Sequence, residues 1–186
     1  MVDWVRYHQL LPLVHPTCCA SAAGLIIEAA IAAGYGIELD VQLSRDGHAM
    51  VFHDDVLDRL THETGPVRAL DRAKLSNIGL KHDDGTIPAL DEVLELVDGR
   101  VPLLIEIKDQ DGQMGPDVGP LESDVARALA KYAGDAAVMS FNPHAVAALA
   151  QMAPDRPRGL TTSAYQGLFW PEVPRAVRHR LREIPD

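Results

Sequence analysis

The sequence predicts an α/β domain built on a parallel sheet with right-handed crossovers. Strand-length apolar runs alternate with helical patterns along most of the chain. The runs at 36–43, 101–108 and 136–141 read as near-continuous apolar segments, as strands covered on both faces do. The ionisable residues within them, Glu38, Asp40, Glu106 and Lys108, sit late in their strands. That is the edge at which α/β folds gather reactive groups.

From Cys19 to Ala33 the residues are small or aliphatic with Glu28 the only charge, which predicts a buried helix stopped at Gly34. A strand follows over Gly36–Leu43. Strand period two sends Ile37, Leu39, Val41 and Leu43 to one face and Glu38 and Asp40 to the other. Two like charges one pleat repeat apart repel unless a cation or proton sits between them, although an exposed strand face explains them equally well. The run Ala49–Phe52 ends in His53-Asp54-Asp55, either a turn or an ionisable strand tip.

Residues 54–88 are rich in Gly, Asp and Thr and too long for a simple connection, so they read as an excursion with short helices around Asp71–Asn77. Leu90–Val97 is an amphipathic turn or two. In the strand Val101–Lys108, Glu106 and Lys108 share a face, as a functional pair or as a plain ion pair. Asp109–Pro120 reads as an exposed loop on the Glu106 side, and Leu121–Tyr132 as a helix. Ala136–Phe141 is a buried strand, after which Asn142 and Pro143 are the N-cap and first residue of a helix through Ala150. Gly159–Ser163 is a weaker strand, and Tyr165–Asp186 a polar tail without another.

With 186 residues, 47% hydrophobic and 24% charged, the composition is that of one soluble globular domain without a repeat. A net charge of −10 argues against nucleic acid or an anionic membrane as partner, and an anionic substrate would need a local cation. Cys18 and Cys19 are adjacent with no third cysteine, which excludes a disulfide framework and suggests a reducing, cytoplasmic setting. No run reaches the roughly 18–20 apolar residues of a membrane span. Leu10–Val14 faintly imitates a signal peptide, but Pro12, His15 and Pro16 interrupt it. His48, His62, His82, His144 and His179 are expected at the surface, and Arg59 in a salt bridge with a neighbouring aspartate.

Four linked runs, Gly34–Gly47, Val51–Arg59, Ile87–Leu94 and Ile105–Lys108, resemble in order and spacing the glycerophosphodiester phosphodiesterase family, over roughly residues 24–165. The resemblance implies an incomplete TIM (β/α)8 barrel of the phosphatidylinositol-phosphodiesterase-like type, with an insertion at 54–88 after the second strand. Carried over position by position, it implies that Glu38, Asp40 and Glu106 hold a divalent cation, that His53 is a general acid or base, and that Lys108 contacts phosphate. Three carboxylate donors with no cysteine nearby suit Mg²⁺ or Ca²⁺ better than zinc. The implied reaction, part of lipid metabolism, is metal-dependent hydrolysis of a small glycerophosphodiester to glycerol phosphate and an alcohol. In the family's usual scheme a glycerol hydroxyl attacks phosphorus first, partnered by a second histidine.

The family's His-Arg-Gly and Pro-Glu-Asn tripeptides occur nowhere in this sequence. Near the expected interval before Glu38 stands His8, followed by Gln9-Leu10, and Ser21-Ala22-Ala23 occupies the place of Pro-Glu-Asn. Tyr7–Gly24 therefore reads as an unrelated or frame-shifted replacement, with His8 the candidate second histidine. A complete barrel takes about 250 residues, whereas five strands are legible here. An open barrel exposes strand edges, so the chain is expected to be sticky or completed by another copy in a homo-oligomer. A truncated, catalytically silent relative that still binds metal or phosphate, or a fragment without function, is the alternative expectation.

Overall fold

The structure, a computed structural model, describes residues 13–14, 23–81 and 85–162. In chain order the elements are β1 (Leu13–Val14), α1 (Ala23–Ala33), β2 (Gly36–Leu43), β3 (Ala49–Val51), a 3-10 turn (Val67–Ala69), α2 (Arg72–Leu75), α3 (Leu90–Val97), β4 (Leu103–Ile107), α4 (Pro120–Leu129), β5 (Ala136–Ser140), α5 (Pro143–Met152) and β6 (Arg158–Leu160). The predicted bounds of β2 and α3 match, and the other elements shift by a few residues at their ends. His8, Cys18, Cys19, His82, His179 and the tail Tyr165–Asp186 lie outside the described residues.

Five parallel strands run in the order β1-β2-β4-β5-β6. Among the described residues the path does not close on itself, and the arc is that of an incomplete TIM barrel. The odd positions of β2 and β4, from Ile37 to Val41 and from Leu103 to Ile107, form one apolar cluster with Ile27 and Ala30 of α1, Leu90, Val93 and Val97 of α3, and Leu121, Val125 and Leu129 of α4. Helices thus cover the odd face. The even positions Glu38, Asp40, Gln42 and Glu106 are left to the barrel interior, where they too are buried.

The termini of the helices explain their lengths. At the end of α1, Gly34 takes a positive φ of 71°. Its N–H bonds the Ile31 carbonyl at 3.0 Å, and the Tyr35 N–H bonds that of Ala30 at 2.8 Å. This is the paired closure a left-handed glycine permits. At α5, the Asn142 side chain accepts from the His144 N–H at 2.8 Å, so the predicted N-cap is present.

Strict alternation of strand and helix fails at β3, which pairs antiparallel with β2 through Val41↔Val51, Gln42↔Met50 and Leu43↔Ala49. The connection 44–48 is too short for a crossover, which needs a dozen or more residues, and a hairpin is what remains. Gly47, with φ of 83°, makes its turn. Odd-numbered groups of β2 bond toward β4, as the Lys108 N–H to Val41 carbonyl shows at 3.2 Å, while Phe52 N–H reaches the Asp40 carbonyl at 3.0 Å on the opposite edge. His53 therefore follows a strand that runs back along β2 and does not end a barrel strand. The fifth barrel strand is instead β1, which pairs parallel with β2 although Leu13–Val14 carries no strand pattern.

The excursion between β3 and α3 has a small core of its own, in which Phe52, Leu57, Val67, Leu75, Ile78 and Ile87 are buried together. Its two ends meet: Met50 bridges Ala89, and Val51 N–H bonds the Pro88 carbonyl at 2.8 Å. No helix among the described residues is long and apolar enough to cross a membrane.

Candidate metal centre and active site

Register decides the geometry of the acidic cluster. Asp40 of β2 stands directly opposite Glu106 of β4, and Glu38 lies one pleat repeat below on the same face. One carboxylate oxygen from each of Glu38, Asp40 and Glu106 lies within 4.8 Å of the others. The three residues are 4%, 5% and 7% exposed. Lys108, next on that face, places its Nζ 2.7 Å from Asp40 Oδ1 and 2.6 Å from Glu106 Oε1.

Three buried carboxylates against one ammonium leave a negative balance that a proton or a cation must neutralise. Burial, then the charges of Asp40 and Glu106, push the Glu38 carboxyl up to about 8, with Lys108 opposing the rise. Burial disfavours the charge on Lys108, but hydrogen bonds and charge from Asp40 and Glu106 outweigh it and raise the lysine. Oxygen donors of this number and charge fit a hard divalent cation. The buried cluster therefore has the donor set to hold one.

His53 enters from the end of β3. Its Nδ1 lies 2.7 Å from Asp54 Oδ1, and Arg59 grips Asp54 through Nε and Nη2, both at 2.7 Å. The hydrogen bonds from Arg59 hold the Asp54 carboxyl below the usual carboxylate range against its partial burial, and His53 adds to the effect. An ionised Asp54 accepts the Nδ1–H and leaves Nε2 as the nitrogen able to exchange a proton. Arg59 thus makes the salt bridge the sequence suggested.

A cleft of ≈ 660 Å³ is lined by His53, Glu106 and Lys108 and also by Gln42, Arg68 and Gln110. Sequence reasoning missed these last three. Gln42 shares the face of Glu38 and Asp40, so period two could have found it; its Nε2 donates to the His53 carbonyl at 3.1 Å. Gln110 Nε2 donates to Gln42 Oε1 at 3.0 Å and to the Lys108 carbonyl at 2.7 Å. Arg68 reaches from the excursion to the Gln110 carbonyl at 3.2 Å, a contact no local pattern announces. Asn142 does more than cap: its Nδ2 donates to Asp109 Oδ1 at 2.8 Å and to the Gly115 carbonyl at 3.0 Å, fixing the loop after β4. His62 and His144 are exposed as expected. His48 is instead half-buried, its Nδ1 4.0 Å from Asp124 Oδ1.

Comparison with known proteins bears on what this arrangement is. The glycerophosphoryl diester phosphodiesterase family matches residues 25–172. The chain belongs to the glycerophosphoryl diester phosphodiesterase family. A glycerophosphodiester phosphodiesterase of Caldanaerobacter subterraneus subsp. tengcongensis is 35% identical over 134 residues, covering 67% of this chain and 54% of that protein. Among solved structures, a glycerophosphodiester phosphodiesterase from Agrobacterium tumefaciens superposes with a TM-score of 0.65 at 27% identity, over 78% of this chain and 64% of that one. An Oleispira antarctica phosphodiesterase, solved in complex with its product sn-glycerol-3-phosphate, gives a TM-score of 0.73 over 94% of this chain and 74% of that one. At 24% identity that last likeness speaks for the fold. The chain spans a little over half the length of the Caldanaerobacter member of the glycerophosphoryl diester phosphodiesterase family.

Proposed function

We propose that this chain hydrolyses glycerophosphodiesters to glycerol phosphate and an alcohol, with Glu38, Asp40 and Glu106 holding Mg²⁺ or Ca²⁺. The observation that carries the reading is the convergence of these three buried carboxylates within 4.8 Å beside Lys108. When bound, the cation would supply Lewis-acid polarisation of a phosphoryl oxygen. Lys108 binds and orients the phosphate. Asp54, fixed by Arg59, holds the Nδ1–H of His53; as the imidazolium, His53 passes its Nε2 proton to the departing alcohol and regains one from the water added across the P–O bond. The overall reaction adds one water across the P–O bond. The substrate class fits a step in the turnover of deacylated phospholipids, and two adjacent cysteines in 186 residues favour a reducing, cytoplasmic setting.

Release of glycerol phosphate from glycerophosphocholine, followed with added Mg²⁺ or Ca²⁺ and again with chelator, tests the reading. Metal-dependent turnover is expected; none in a folded, metal-saturated sample would defeat it. A second reading, a silent relative that binds metal without turnover, is favoured by one observation. Neither the His-Arg-Gly nor the Pro-Glu-Asn tripeptide is present in the sequence. Calorimetric metal binding with no product formed is its signature.

A further inference from the structure

We infer that Lys108 is a displaceable internal counter-ion: an incoming divalent cation takes Asp40 and Glu106 from its ammonium, which then swings into the cleft to meet the substrate phosphate. The inference rests on the metal-centre reading above and adds an order of events to it. Lys108 Nζ stands at 2.7 Å and 2.6 Å from two of the three carboxylates that would ligate the metal. A divalent ion bound to the same groups would lie within a few ångströms of the ammonium, and two cations at that separation repel. The divalent ion carries the larger charge and can draw on all three carboxylates, so the ammonium is the one to leave.

The surroundings permit the move without disturbing the sheet. The Lys108 backbone is pinned by its N–H to the Val41 carbonyl at 3.2 Å and by Gln110 Nε2 on its own carbonyl at 2.7 Å. Only the flexible four-carbon stem needs to rotate. The side chain is 18% exposed and already lines the cleft. Arg68, which donates to the Gln110 carbonyl, is the guanidinium lining the cleft, beside Asp54, Asp55, Asp109 and Asp111, so a lysine released from its carboxylates adds a second fixed positive charge to a lining rich in aspartate. The consequence is ordered assembly. Metal binding both offsets most of the acidic cluster's negative charge and delivers the phosphate-binding cation.

Reductive methylation of the intact wild-type protein, quantified lysine by lysine with and without saturating Mg²⁺ or Ca²⁺, tests the exchange. In chelator, Lys108 is expected to react several-fold more slowly than the exposed Lys74 and Lys131. Metal should raise its rate several-fold and leave those two unchanged. Continued protection of Lys108 while calorimetry shows the metal bound would overturn the exchange and leave the metal centre standing. Absence of metal binding by calorimetry would remove the metal centre and the exchange together. As a second measurement, Lys108→Met, which has no ammonium to displace, is expected to bind the divalent ion several-fold more tightly than wild type; equal or weaker binding counts against the inference.

Discussion

Replacing Glu38 by Gln should stabilise the metal-free protein at alkaline pH. In the folded chain Glu38 is pushed from 4.5 to about 8, by burial first and then by Asp40 and Glu106. The folded state therefore keeps a proton that the unfolded chain releases, and stability falls as pH rises from about 4.5 to about 8. That interval sets a ceiling of about 5 kcal/mol on the penalty. Water entry and side-chain relaxation return part of it, and removing the ionisable group is expected to recover about 2 kcal/mol at pH 8. For a chain of this length the gain corresponds to a rise in Tm of about 4–8 °C. Glutamine mimics the protonated carboxyl in size and keeps a hydrogen-bonding head, so little change is expected at pH 5. Thermal unfolding of Glu38→Gln and wild type in chelator at the two pH values reads the difference directly. A variant no more stable than wild type at pH 8, or equally stabilised at both, would refute the reasoning. Adding Mg²⁺ or Ca²⁺ should reverse the order, raising the wild-type Tm and leaving the variant unmoved.

Asp54→Asn replaces the carboxylate that holds His53 Nδ1–H with a neutral amide whose N–H can face Nδ1 and favour the other tautomer, and is expected to lower turnover by roughly 10²-fold or more with Tm little changed, as paired kinetics and calorimetry would show. An Asp54→Asn enzyme with wild-type turnover would take Asp54 out of the account. Asn142→Ala deletes the cap on His144 N–H and both tethers to the loop after β4, and should cost about 1–3 kcal/mol in urea unfolding. Asp124→Ala leaves the buried Ala49 N–H without its 2.8 Å acceptor, at an expected cost of about 1–3 kcal/mol measured the same way.

The sequence was most legible where one residue pattern had a single physical solution. In β2, four apolar side chains alternate with Glu38, Asp40 and Gln42, and only a strand sends the two sets to opposite faces. Leu90–Val97 has helical spacing with Leu90, Val93, Leu94 and Val97 all buried. What could not be read was direction and pairing. Ala49–Val51 has the composition of a strand, but its antiparallel run depends on the brevity of 44–48 and the turn at Gly47, and this moved His53 off the end of a barrel strand. Leu13–Val14 is too short for any periodicity to register. In the site, the alignment of Asp40 with Glu106 follows from the register of β2 on β4, which no local pattern encodes. The contacts of Gln110 and Arg68 likewise join segments distant in sequence.

The most direct measurement is an anomalous diffraction map from crystals of this chain soaked in Mn²⁺, a stand-in for the harder divalent ions. A peak is expected within bonding distance of carboxylate oxygens from Glu38, Asp40 and Glu106 together. Manganese bound elsewhere, with these three side chains making no contact to it, would overturn the metal-centre assignment.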